Sequence, residues 1–170
     1  KVLNFASPLH TYAFQQFLAQ NGLESEIIDY KPCYYGKFDV KHPYDFWLAH
    51  PMKNSQKQEE TLEKWKLLYD DRAVRFDKFE DFIQTYYKKT NECYTQEDLD
   101  KTDLGYDIYM CVTDVIWKYN PKNGYDRGFF LACKSMENKG KIAYSTSKGA
   151  KEYTEEQGAY FKQLIDSFHY

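Results

Sequence analysis

Apolar residues recur along this chain with two periods. In "HTYAFQQFLAQNGLESEIIDY", Tyr12, Ala13, Phe14, Phe17 and Leu18 keep the spacing of one helix face, and the run closes on Asn21-Gly22, a left-handed helix stop. "SEIIDY" then reads as a strand, and Val2, Leu3 and Phe5 in the clipped opening "KVLNF" fit another. Strand, helix and strand within about thirty residues make a βαβ unit, whose crossover is right-handed in nearly all known cases. Residues 31–55 mix aromatics with Pro and Gly without a period and read as a long ordered loop, a kind that often carries function. From Gln56 onward Leu62, Trp65, Tyr69, Phe76, Phe79, Ile83 and Tyr86 return to helical spacing, which fits one long helix or two joined near residues 70–73.

The second half continues the alternation. Thr95 with Asp98 three residues on is a weak relative of the capping box. "IYMCV", residues 108–112, is an unbroken apolar run closed by Thr113 and Asp114, the pattern of a strand covered on both faces. "NPKNGYDRG" is turn chemistry, "FFLAC" suggests a short strand, and "KIAYSTS" a further one. "TEEQGAYFKQLIDSF" reads as a helix capped by Thr154, with Glu155 and Glu156 in its first turn. The whole predicts an α/β fold, a mostly parallel sheet with flanking helices, as a single domain over residues 1–170.

Composition narrows the chemistry. Aromatics make up 19%, led by 17 Tyr, about double an average domain; Tyr suits both cores of modest depth and sugar-stacking surfaces. A net charge of -3 argues against nucleic acid as a partner, since phosphate binding needs a concentrated basic face. Cys33, Cys93, Cys111 and Cys133 are far apart, with no C-x-x-C pair and no histidine at ligand spacing. That pattern speaks against a zinc site or a disulfide framework and for the reduced thiols of a cytoplasmic protein. No apolar run reaches transmembrane length, and no signal-peptide pattern opens the chain.

Ligands of open parallel sheets collect at the carboxyl ends of the strands. Asp114 and Trp117 fall there. Asp114 suits a carboxylate for sugar hydroxyls or a base, and on spacing more often a helix cap or turn anchor; Trp117 suits a sugar-stacking ring, and more often the core. Ser145, Ser147 and Lys148 form a second polar cluster after a strand, fit for a sugar or an anion or for a plain loop turning at Gly149. Asn4, Ser7 and His10 occupy the first strand-to-helix crossing. No G-x-G-x-x-G or G-x-S-x-G motif is present, and Asp70-Asp71 and Glu155-Glu156 read as solvated helix faces.

Three segments together resemble the amino-terminal half of the polysaccharide pyruvyl transferase family. "NFASPLHTYAFQQFLAQNGLESEIIDYKP" is similar to its opening N-Y-G-A-V-L-Q-x-Y-A-L-Q-x-F-L followed by I-D-Y-x-P, "YDIYMCVTDVIWKYNP" to its strand ending in G-S-D-x-x-W-N-P, and "GKIAYSTSKGA" to its I-S-Y-A-A-S-x-G. The resemblance implies a Rossmann-like domain, one half of a glycosyltransferase-B type fold. It also implies a bacterial enzyme of surface-polysaccharide biosynthesis that moves pyruvate from phosphoenolpyruvate onto paired sugar hydroxyls as a ketal. Phosphoenolpyruvate is then the donor substrate, with no cofactor. By position Asp114 and Trp117 fall on the D-x-x-W motif and Ser147 on the second serine of the last motif, with Ser145 as its neighbour. The chain departs from the family at Ala6, at Val112-Thr113 and at Ala143, where the family has Gly, Gly-Ser and Ser. Glycine admits a ligand closely, and a β-branched residue fills that space. The basic residues for the donor are expected in a C-terminal domain outside these residues, so this chain alone is not expected to catalyse the transfer. Two rival readings are a non-catalytic carbohydrate-binding or scaffold module and a sugar-nucleotide glycosyltransferase of the same architecture.

Overall fold

The structure is a computed structural model that describes residues 3–32, 38–113, 115–149 and 152–168. The protein is mixed α/β. In chain order the elements are α1 (Ala6–Gln20), β1 (Ile27–Tyr30), α2 (Pro43–Ala49), α3 (Ser55–Leu67), α4 (Tyr69–Tyr86), β2 (Lys89–Tyr94), α5 (Gln96–Lys101), β3 (Ile108–Val112), a 3₁₀ turn (Lys134–Met136), β4 (Gly140–Tyr144) and α6 (Glu155–Ile165). They divide into two compact units, residues 1–12 with 35–87 and residues 13–34 with 88–170.

The first unit is helical and aromatic. Tyr12 meets the edges of Phe82 and Tyr86 at 5.8 and 5.6 Å between ring centroids, and the Tyr87 hydroxyl donates to the Pro8 carbonyl at 2.9 Å. The expected long loop contains α2, which Pro43 opens with its preset φ and Asp45 favours in the first turn; residues 33–37 of that loop lie outside the described residues. The two-helix alternative holds for the stretch that follows, but the joint is at Leu68 (φ -99°, ψ 9°) rather than at 70–73. Arg72 braces the joint, donating to the Val40 carbonyl at 2.8 Å while its guanidinium lies 4.7 Å from the Trp65 ring centre. Among the described residues of this unit only Pro8 and Pro43 are buried, so its aromatic rings stay half open.

The second unit carries the sheets. β1 pairs in parallel with β2, and β3 with β4, the latter in unbroken register from Ile108 opposite Gly140 to Val112 opposite Tyr144. The expected first strand lies partly outside the described residues, at Lys1 and Val2; Leu3 and Asn4 form no strand. Asn4 is the reason. Its Oδ1 accepts the Ala6 N–H at 3.1 Å, which starts α1 at that point and ends any extended run. Phe5 is left 69% exposed.

β2 has no apolar period to announce it, and it forms because partners reach it from elsewhere. The buried Gln15 of α1 donates to the Lys88 carbonyl at 2.8 Å and accepts the Lys88 N–H at 3.1 Å, acting as a substitute peptide group. Thr90 Oγ1 accepts the Asp29 N–H at 3.0 Å across the pair. Conversely "FFLAC" is not a strand: Phe129, Phe130 and Leu131 N–H groups donate back to Asp126, Arg127 and Gly128, and Leu131 sits at φ 50°. The Asp126 carboxylate begins this turn by accepting the Gly128 N–H at 3.0 Å.

β3 is not covered on both faces. Tyr109 and Cys111 point into a cluster with Leu99, Leu131, Cys133 and Met136, whereas Ile108 is 55% exposed. A second cluster, Tyr125, Phe130 and Leu164, joins the loop after β3 to α6. Both predicted caps exist as full capping boxes, Thr95 with Asp98 and Thr154 with Gln157. Replacing Thr154 by alanine leaves the Gln157 N–H unpaired and is expected to cost about 1 kcal/mol, read as a lower urea midpoint with unchanged slope.

Candidate functional site

The site is assembled where β3 and β4 end side by side. The Thr113 N–H donates to the Tyr144 carbonyl at 3.4 Å, one step past the paired strands. The Val115 N–H then donates to Ser147 Oγ at 3.3 Å, and the Trp117 N–H to the Ser147 carbonyl at 3.2 Å. One serine thus receives two amides of the segment after β3, those of Val115 and Trp117. The aspartate-tryptophan loop and the serine loop form a single rim.

That rim is built from strained backbone. Thr113 (φ 116°), Val115 (φ 53°) and Ser145 (φ 57°) all lie at positive φ. For β-branched Thr113 and Val115 such conformations cost on the order of 1–3 kcal/mol each and persist only where the surroundings impose them. Gly149 (φ 75°) completes the arrangement, because a Cβ there would lie 3.1 Å from Val115 Cγ1. A glycine is needed here for both its φ and its bareness.

The predicted residues are distributed unevenly. Ser145 is exposed on the rim, Ser147 is half-buried as its clasp, and the Lys148 ammonium lies 5.0 Å from the centre of the Tyr153 ring. Trp117 is anchored inward: its Nε1 donates to the Phe129 carbonyl at 2.8 Å, and its ring stacks on Phe130 at 5.4 Å with Phe161 and Phe168 at its edges. Its carbonyl accepts the Tyr153 hydroxyl at 2.7 Å. Asp114 lies outside the described residues. Asn4 and His10 belong to the first unit, where Asn4 is occupied in starting α1 and His10 is half-buried on it.

Three polar residues near the strand ends escaped the reading of the sequence. Asp126 is 3% exposed, and its carboxylate accepts both the Tyr30 hydroxyl at the end of β1 and the Gly128 N–H. Arg127 pairs with Asp100, and its N–H donates to Gln96 Oε1 at 3.0 Å. Burial pushes the Asp100 carboxyl up, yet hydrogen bonds from Arg127 and the Lys134 N–H outweigh it and hold the group below its ordinary value. "YDRG" looks in sequence like any turn; only burial marks its aspartate.

Two of the described cysteines, Cys111 and Cys133, are structural. Cys111 donates from Sγ to the Phe129 carbonyl at 2.8 Å, and burial raises its thiol far above the ordinary range. Burial pushes Cys133 up to about 12. Cys93 is exposed. Among these three, iodoacetamide at neutral pH is expected to label Cys93 in minutes and Cys111 and Cys133 only after unfolding, as peptide mass mapping would record. Among the described residues no group of three or more His, Cys, Asp or Glu is placed to hold a metal ion, and no helix is long and apolar enough to cross a membrane. Compared with family models, curated proteins and solved structures, the chain matches none.

Proposed function

We propose that this chain is the amino-terminal, Rossmann-like part of a polysaccharide pyruvyl transferase-like enzyme, and that its rim presents the acceptor sugar. One observation carries the reading: the loops after two adjacent parallel strands are stitched together by Ser147, at the edge where open α/β sheets bind ligands. Asp114 and Ser145 supply acceptors for sugar hydroxyls, and Lys148 a cation. Trp117 holds the turn from beneath through its ring and its Nε1 bond. In this reading phosphoenolpyruvate is the donor, and the cations that hold it come from a further domain. Electrostatic stabilisation and acid-base help then assist addition of the hydroxyls to the enol carbon.

A second reading, a non-catalytic carbohydrate-binding module, draws on the strained β-branched residues Thr113 and Val115. Both lie at positive φ, a conformation that glycine adopts without strain and β-branched residues do not. Both readings predict sugar binding, and a third, transfer from nucleotide sugars, predicts nucleotide binding instead. The test is an amide-shift titration with surface-polysaccharide oligosaccharides, phosphoenolpyruvate and a uridine diphosphate sugar. Shifts at Ser145, Ser147 and Lys148 with oligosaccharide alone support the proposal. Shifts there only with the nucleotide sugar, or with none of the three, overturn it.

A further inference from the structure

Side chains alternate between the two faces of a sheet, and partnered residues of parallel strands share a face. Tyr109 and Cys111 take the core side of β3, so Val112 and its partner Tyr144, at the end of β4, take the other. The Phe14 ring of α1 meets Tyr144 there, stacked at 4.8 Å between centroids and 28° between planes. Three residues on, Phe17 approaches Phe14 at 6.2 Å and 33°. All three rings belong to the second unit.

A stack that only fastened α1 to β4 would cover its rings. This one leaves Tyr144 50% and Phe17 57% exposed, each in contact with the half-buried Phe14. Exposed apolar patches bordered by polar groups mark ligand sites. The polar border is at hand: Ser145, also exposed, follows Tyr144 in the chain, and the Tyr144 carbonyl accepts the Thr113 N–H of the rim. Consecutive Cα atoms lie about 3.8 Å apart, so the aromatic platform begins where the rim begins.

We propose that Tyr144, Phe14 and Phe17 form an aromatic subsite beside the rim, which stacks on the C–H face of a pyranose whose ring hydroxyls are equatorial. The choice of a sugar rests on the acceptor reading above, and the choice of ring type on these three residues. Equatorial hydroxyls leave through the edge of the sugar ring, and its faces then carry axial C–H bonds. Such a face is apolar and faintly positive, which complements the negative face of an aromatic ring. The edge keeps hydroxyls for Ser145 to accept. Apolar walls with a few placed polar groups are the usual make-up of a small-molecule site. An aliphatic ligand would also cover the rings, but it has no use for the hydroxyl at their border.

The test uses methyl β-glucoside, with every ring hydroxyl equatorial, and glucitol, an open chain of similar hydroxyls without a ring face. Saturating the aromatic protons of the protein is expected to transfer to H1, H3 and H5 of the glucoside, or to H2 and H4, the axial hydrogens of one face or the other. The ring signals of Tyr144 and Phe17 are expected to shift, and glucitol to produce neither effect. Phe17→Leu, which keeps apolar bulk and removes the aromatic face, should weaken glucoside binding about three- to tenfold, and Phe17→Tyr should retain it. Because Phe17 is exposed, both variants are expected to melt close to the parent. Shifts at the Ser145, Ser147 and Lys148 amides with silent rings would overturn the subsite and leave the acceptor reading standing. Ring responses with silent rim amides would support the subsite and count against the rim. Silence at both, equal responses to glucitol, or ring shifts that follow protein dilution in place of the glucoside would overturn the subsite.

Discussion

Replacing Phe130 by alanine is expected to lower stability by about 3–5 kcal/mol, the largest loss from any single truncation near the rim. Phe130 is 0% exposed and is where the aromatic cluster converges: Trp117 stacks on it at 5.4 Å, and Tyr125 and Phe161 meet it edge-on at 5.4 and 5.7 Å. Removing the ring leaves a cavity bounded by stiff aromatics that cannot collapse into it. It also forfeits ring pairings worth about 0.5–1.5 kcal/mol each. Because Trp117 loses the ring beneath it, its fluorescence should move to the red in the folded protein, before the urea transition. A midpoint within error of the parent, with unchanged emission, would mean that Trp117 is not seated as described.

Gly128→Val is expected to cost about 2–6 kcal/mol, from overpacking of about 1–3 and a buried hydrogen bond of similar size. A Cβ at Gly128 would lie 2.3 Å from Tyr30 Cζ and 2.4 Å from its hydroxyl oxygen. A free tyrosine tip would swing aside. This one is held by its bond to Asp126 and by the edge of Phe129, so relief requires breaking the Tyr30–Asp126 contact and leaving a buried carboxylate with one partner fewer. The cause can be isolated. Tyr30→Ala destabilises on its own, but in the Tyr30→Ala background Gly128→Ala should add almost nothing, a non-additivity that denaturant melts of the four proteins would resolve. Full additivity would place the damage elsewhere.

Much of the secondary structure was legible because it depends on local patterns. α1 is announced by its apolar spacing and by the Asn21-Gly22 stop, and Gly22 does sit at φ 75°. α5 and α6 are announced by Thr95 and Thr154, and β3 and β4 by their apolar runs. What stayed hidden depends on residues far apart in the chain. β2 is polar along most of its length and is ordered by an amide from Gln15, 73 residues away from Lys88. "FFLAC" has strand composition, but the Asp126 carboxylate two residues before Gly128 turns the chain first. The rim followed the same division. Adjacency of the two loops could be anticipated from parallel strands, and the packing of Trp117 against Phe130 could not, since that ring arrives from a turn without regular structure. Asp126 is the clearest case: its residue type is ordinary and its burial is wholly tertiary.

The proposed acceptor site requires the two strand-end loops to form one hydrogen-bonded rim. Residue-resolved amide exchange of Val115 and Trp117 in the unliganded protein tests this most directly, since both N–H groups donate to Ser147. The expected result is that both exchange far more slowly than in an unfolded chain, and that Ser147→Ala frees Val115, which relies on the hydroxyl, while Trp117, bonded to the backbone carbonyl, stays protected. Exchange of both amides at unfolded-chain rates in the parent protein would contradict the account.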